Sequence, residues 1–146
     1  LVDIADADFD EQLTYVGPVK WSPRRDDPEY DGPIKLGEIG EGGIGHHVYD
    51  AKGPAVTQKT WGEGPGASTG LYKFPGGIIR RLSPSEAMRA HSFPGPLISK
   101  IEEMGFSESE KYKLVGNSIP VRTLRAVISH AISLVDPTQI PDVRLS

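Results

Sequence analysis

Three stretches of the chain carry residues whose types and spacing could do chemistry. The first, GEIGEGGIG over residues 37–45, is dense in glycine. A phosphate-binding loop of the dinucleotide kind needs a strand before it and a helix after it, so that the helix N-terminus faces the phosphates. The segment that follows, HHVYDAKG, is β-like, and a nucleotide fold is rejected. Such a loop can still approach a backbone closely and expose its N–H groups, which suits nucleic-acid phosphates; its other reading is a flexible surface loop. The second stretch, TQKTWGEG over residues 57–64, sets Gln58, Lys59, Thr60 and Trp61 beside glycines. Gln and Lys can read base edges and Trp can stack, while the bland reading is a solvated lysine beside a packed aromatic. The third, VGNSIP over residues 115–120, places Asn117, the chain's single asparagine, between Gly116 and Ser118 at the mouth of an amphipathic run.

Catalytic constellations do not emerge from the remaining residues. Of the four histidines, His46 and His47 are adjacent on a predicted strand and point to opposite faces, while His91 and His130 stand apart. No metal site is expected from that spacing, and no Ser, His and acid fall into a nucleophilic arrangement. The chain contains no cysteine, which excludes disulfides, thiolate metal ligation and a cysteine nucleophile. Read from these residues alone, the protein is a binding module before it is an enzyme.

The elements that must position the three stretches follow from pattern. With 146 residues, 37% apolar and 25% charged, the chain is long enough for one domain, or one domain and a piece of another. No segment reaches the length of a membrane span, and no secretory leader is expected; an intracellular protein is. The net charge of −4 is uneven, with Asp3, Asp6, Asp8, Asp10 and Glu11 crowded before the first basic residue, Lys20. That start reads as a solvated tail. From residue 73 to residue 125 nine basic residues face five acidic ones, a mildly basic region that could meet a polyanion.

Residues 1–34 read as a polar, proline-punctuated lead-in with one strand near TYVGPVKW. Short β-type runs, HHVYD, PAVTQKTW and TGLYKF, then alternate with glycine turns, which predicts a twisted antiparallel β region. In RLSPSEAMRAHSF, Ser83 is a predicted N-cap with Pro84 at the first helical position and Glu86 three residues on, a capping box. PLISKIEEMG predicts a second short helix closed by Gly105. In the last helix Val121, Leu124, Ile128, Ala131 and Val135 form one stripe, with Arg122, Arg125, Ser129 and Ser133 elsewhere. That stripe must be buried, either on the β region or on a partner; periodicity favours the β region. The fold class is therefore α+β, a glycine-rich sheet followed by about three helices.

Taken together, these stretches resemble the C-terminal part of the DNA cytosine-5 methyltransferases. RRLSPSEAMRAHSFP, residues 80–94, is similar to the family's ninth motif, Arg-x-Leu-Thr-Pro-Arg-Glu-x-Ala-Arg-x-x-Gly-Phe-Pro. YKLVGNSIPVRTLRAVISHA, residues 112–131, resembles the tenth, Gly-Asn-Ser-Val followed by a helix, and residues 36–72 resemble the recognition loops of the small bacterial members. The resemblance covers residues 35–135 in the family's order.

It implies a target-recognition domain with the ninth motif over residues 35–110, and a tenth-motif loop and helix over residues 111–146 that return to a Rossmann-like catalytic domain. Gly116, Asn117 and Ser118 would then help to wall the S-adenosylmethionine pocket. Arg81, Pro84, Glu86 and Arg89 would organise the recognition domain. Gly42, Gly43, Ile44, His46 and His47 would lie in the first recognition loop. Thr57, Gln58, Lys59, Thr60, Trp61 and Gly62 would lie in the second, both loops meeting double-stranded DNA while the target base is flipped out. Ile44, His47, Ser85 and the His91–Ser92 pair depart from the usual residues, so the sequence read cannot be copied from relatives. Motifs one to eight are missing, and with them the thiolate that attacks the base. The resemblance thus implies a DNA-recognition and cofactor-pocket-completing half, inactive alone, with a chain or domain carrying motifs one to eight as its partner. It would be a fragment, a domain of a larger chain or a split subunit. The alternatives are a stand-alone non-catalytic DNA-binding protein and a structural remnant.

Overall fold

The structure, a computed structural model, describes residues 3, 5, 13–23, 29–60 and 62–134. Among these residues five strands form one sheet in chain order: β1 (Lys20–Trp21), β2 (Lys35–Glu38), β3 (His47–Asp50), β4 (Leu71–Lys73) and β5 (Ile79–Arg80). Four helices follow: α1 (Pro84–Ala90), α2 (Gly95–Glu103), α3 (Glu108–Gly116) and α4 (Val121–Leu134). The α+β class and the order of sheet before helices are those predicted. None of the described helices is long and apolar enough to cross a membrane.

Several features differ from the expectation, among them the predicted β-type run PAVTQKTW, whose described residues 54–60 form no strand. The sheet is mixed: β3 and β4 run parallel, with Val48 opposite Leu71 and Tyr49 opposite Tyr72, while the other three pairs are antiparallel. A parallel pair cannot be joined by a tight turn and needs a crossover. Residues 51–70 make that crossover, and they carry the whole second stretch identified in the sequence. A further difference is α3, an additional helix that starts on its own capping box: Ser107 Oγ accepts from Glu110 N, and Glu110 Oε2 accepts from Ser107 N at 2.9 Å.

The central strands are apolar on both faces, as β3 and β4 must be with neighbours on either side. On one face Tyr49, Tyr72 and Phe74 pack with Leu82, Met88, Ile98, Ile101, Tyr112 and Val115, so that α1, α2 and α3 close the main core. On the other face Val48, Leu71 and Ile39 lie beneath Tyr15, Val19 and Ile79. The lead-in is thus partly structured: Tyr15 N donates to Ile79 O at 2.8 Å and Arg81 N to Leu13 O at 3.1 Å, covering the β5 edge.

Helix α1 begins as its sequence dictates. Ser83 Oγ accepts from Glu86 N at 3.2 Å, Glu86 Oε2 accepts from Ser83 N at 2.7 Å, and Pro84 occupies the first turn. Glu86 also receives two bonds of 2.7 Å from the Arg80 guanidinium, a bidentate pair with the two residues only 0% and 1% exposed. Arg80 lies with its Cζ 4.1 Å from the Phe74 ring centroid, so the charge is sandwiched between an aromatic face and a carboxylate.

Helix α4 corrects the packing expectation. None of its residues is buried, and Val121, Leu124, Val127, Ile128, Ile132 and Leu134 are between 42% and 74% exposed. The stripe does not pack on the β region. Val135, its predicted last member, lies outside the described residues.

Candidate functional site

The first and second glycine-bearing stretches and the C-terminal end of α3 meet in one cleft of about 620 Å³. Its walls are Gly43, Ile44, Gly45 and His46 from the first stretch, Gln58, Lys59, Thr60, Gly62 and Glu63 from the second, with Ala67 and Gly116. Two close approaches make this meeting possible. A Cβ on Gly45 would collide with the carbonyl oxygen of Glu63, and a Cβ on Gly116 would collide with the backbone of Lys59 and Thr60. Glycine is required at both contacts because backbone lies where a side chain would begin.

One hydrogen bond ties the two loops together and others brace each loop internally. Gly66 N donates to Gly45 O at 2.8 Å, Lys59 N to Ser68 O at 3.0 Å, and His46 N to Gly43 O at 2.9 Å, which closes a single 3₁₀ turn at residues 44–46. The His46 ring is held against Gly42 and Gly64, one glycine from each loop. The base of the crossover is pinned by Tyr72, whose hydroxyl donates to Thr69 O at 2.9 Å and accepts from Val56 N at 3.1 Å. Burial pushes that phenol well above its usual range, so it stays protonated as a donor.

The groups offered to a ligand are mixed. Lys59 and Glu63 are exposed charges at the rim, and Ile44 is a half-buried apolar side chain on the wall. Gln58 is only 7% exposed, and neither its amide oxygen nor its amide nitrogen has a hydrogen-bond partner among the described residues. A buried, unpaired amide costs about 1–3 kcal/mol, so its retention in a cleft wall calls for a reason.

The turn after α3 is bound to the second loop through side chains as well: Thr60 Oγ1 donates to Asn117 Oδ1 at 3.1 Å. Asn117 is the C-cap of α3, its N–H donating to Lys113 O at 3.0 Å. The lone asparagine therefore ends one helix as much as it precedes the next. Ser118 Oγ contacts Val115 O at 2.7 Å and His91 Nδ1 at 2.9 Å.

Not every residue singled out in the sequence joins the cleft. His47 sits at the start of β3 with Nδ1 3.2 Å from Tyr49 Oη, and burial, aided by Lys35, lowers its pKa. Thr57 is exposed and, like Gly42, Asn117 and Ser118, lies outside the lining. Trp61 is outside the described residues. Pro84 and Glu86 are buried in the helix layer. Arg89 borders a separate recess with Phe93 and Val121. Arg81 stacks over Tyr112, its Cζ 5.5 Å from the ring centroid, and approaches Glu108 at 3.5 Å. The buried partner of Glu86 is its neighbour Arg80, which sequence reasoning missed although the Arg-x-Leu spacing of residues 80–82 places it first.

With the two loops, the Gly-Asn-Ser turn and the capping-box helix in place, comparison with known proteins is decisive. The family model of the C-5 cytosine-specific DNA methylases matches residues 27–133, more than half of the chain. The chain belongs to that family. It is also similar to the Type II methyltransferase M.HhaI of Haemophilus parahaemolyticus, with 34% identity over 94 residues. That match takes in 64% of this chain and 27% of the relative, so this methylase-family chain spans about a quarter of the relative's length.

Proposed function

We propose that this chain is the DNA-recognition and cofactor-pocket-completing C-terminal part of an S-adenosylmethionine-dependent DNA (cytosine-5) methyltransferase, inactive by itself. The observation that carries the reading is the Thr60–Asn117 contact beside the shared cleft, which sets a recognition loop directly against the tenth-motif turn. Gln58, Lys59, Ile44 and His46 face the DNA in this reading, and double-stranded DNA is the ligand of the cleft.

The residues present fit one wall of a cofactor site and no more. Gly116 lets the second loop's backbone at Lys59 and Thr60 press against the turn, and Asn117 is exposed with its amide nitrogen bonded to no described residue, a donor available to a polar ligand. S-adenosylmethionine supplies the methyl group when bound; this chain's part is to shape and orient. Attack on carbon 5 of cytosine needs a thiolate, and the chain has no cysteine, so the nucleophile belongs to the part carrying motifs one to eight. The exposed apolar stripe of α4 is the surface that part covers, since a helix with no buried residue gains little burial from its own chain.

Methyl transfer from labelled S-adenosylmethionine to DNA, measured with the chain alone, with motifs one to eight alone and with both, tests the reading. Activity only in the mixture is expected, lost on Ile128→Glu while the chain's own stability changes by no more than about 0.5 kcal/mol. Activity of the isolated chain would refute it. DNA binding by the isolated chain, with an α4 variant that behaves as wild type in the mixture, would favour a stand-alone DNA-binding protein.

A further inference from the structure

His91 holds both ends of the short connection between α3 and α4. It caps the C-terminus of α1, its own N–H donating to Ala87 O at 3.1 Å, and is 7% exposed. Its Nδ1 lies 2.9 Å from Ser118 Oγ, and the same hydroxyl lies 2.7 Å from the Val115 carbonyl oxygen. A carbonyl only accepts, so the single hydroxyl proton of Ser118 goes to Val115. His91 must then be the donor, from Nδ1. Its carbonyl oxygen meanwhile accepts from Val121 N, the first residue of α4, at 3.3 Å. Burial lowers the imidazole pKa, which favours the neutral ring, and the bond to Ser118 fixes which nitrogen carries the proton.

We propose that His91 is a positioning residue for the Asn117–Ser118 pair, latching the α3–α4 turn to the end of α1 through Nδ1–H. The pair is then clamped from two sides, Asn117 by Thr60 of the second loop and Ser118 by His91. Each clamp removes rotational freedom from a turn that the structure otherwise leaves exposed at Asn117 and Ile119. The cofactor half of this inference rests on the reading under Proposed function. The latch itself rests on the three distances alone.

The test compares His91→Phe, which fills the space without a donor, with His91→Asn, whose Nδ2 takes the place of Nδ1. In the chain as it stands, amide hydrogen exchange should rise about threefold to tenfold at residues 118–124 in His91→Phe, the size expected for one lost hydrogen bond. Amides of β3, β4 and α1 should keep their rates, and His91→Asn should restore most of the protection. In the full methyltransferase, His91→Phe should raise KM for S-adenosylmethionine by a similar factor and leave KM for DNA within about twofold. Unchanged exchange in His91→Phe, or equal exchange in both variants, would overturn the latch. Faster exchange with no change in cofactor KM would overturn the positioning role. Asn117→Ala separates the two failures: if it raises cofactor KM and His91→Phe does not, only the His91 proposal falls, whereas if neither does, the cofactor reading of the turn falls with it.

Discussion

The Thr60 hydroxyl donates to Asn117 Oδ1 at 3.1 Å, joining two residues 57 positions apart beside the cleft. One lies in the crossover between parallel strands, the other caps a helix that belongs to the opposite layer. The pair is exposed, so its net worth is at the lower end for a hydrogen bond. A double-mutant cycle of Thr60→Val and Asn117→Ala should show a coupling of about 0.5–1 kcal/mol in urea unfolding. Strictly additive single effects would mean that the contact holds nothing together.

Gln58 should trade stability for binding. Its amide is buried with no hydrogen-bond partner among the described residues, so Gln58→Met, close in volume and without polar atoms, should raise the unfolding free energy by about 1 kcal/mol. The same change should weaken DNA binding by the cleft, where the side chain must turn outward before its amide presents a donor and an acceptor together to a base edge. Thermal unfolding and DNA titration on the two proteins check both halves; a destabilised variant would show that the amide finds partners in the folded chain.

The Arg80–Glu86 pair should be costly to break and cheap to replace. Glu86→Ala strands a guanidinium that is almost wholly buried, with an expected loss of about 3–5 kcal/mol. Combining Arg80→Met with Glu86→Leu removes both charges and should recover most of that loss. The capping contribution of Glu86, about 1 kcal/mol, would not return. Denaturant midpoints of the two variants decide it, and a double variant no better than Glu86→Ala would mean that the cap and not the ion pair dominates.

Acid should destabilise the chain in the histidine range. His47 and His91 both have pKa values lowered by burial, so the unfolded chain binds protons that the folded chain refuses. Their contribution to stability is fully present above about pH 6.5, the unfolded value, and is lost as pH falls through the lower folded values. His91→Asn should flatten part of that slope in unfolding curves taken between neutral and mildly acidic pH. An unchanged slope would assign the titration to other groups.

What the sequence made legible was what neighbouring residues decide among themselves. Ser83, Pro84 and Glu86 specify the start of α1 without reference to the rest of the fold, and it begins where they place it. Ser107 and Glu110 carry the same signal for α3, yet that helix buries only Tyr112 and Val115, too few apolar residues to register as a periodic stripe. The parallel pairing of β3 with β4 left no trace, because which strand lies beside which depends on where the connecting segment travels. The stripe on α4 was visible, but its period is the same whether it is covered by its own sheet or by another chain. In the cleft, the glycines that permit contact were conspicuous. That Gln58 points inward and His91 reaches Ser118 depends on contacts spanning the fold.

The crossover has a consequence for retargeting. Residues 51–70 leave the sheet at Asp50 and rejoin it at Leu71, and the register on either side is set by Val48 opposite Leu71 and Asp50 opposite Lys73, not by the segment itself. Closing a longer loop between fixed ends costs little, about 0.6 kcal/mol per doubling of length. Val56 and residues 66–70 are tied into the core, so the exchangeable part is the tip between them. Under the proposed function, recognition preferences would be altered by swapping that tip for sequence of different length, provided that each graft keeps small residues where the backbones of residues 45 and 116 press against it.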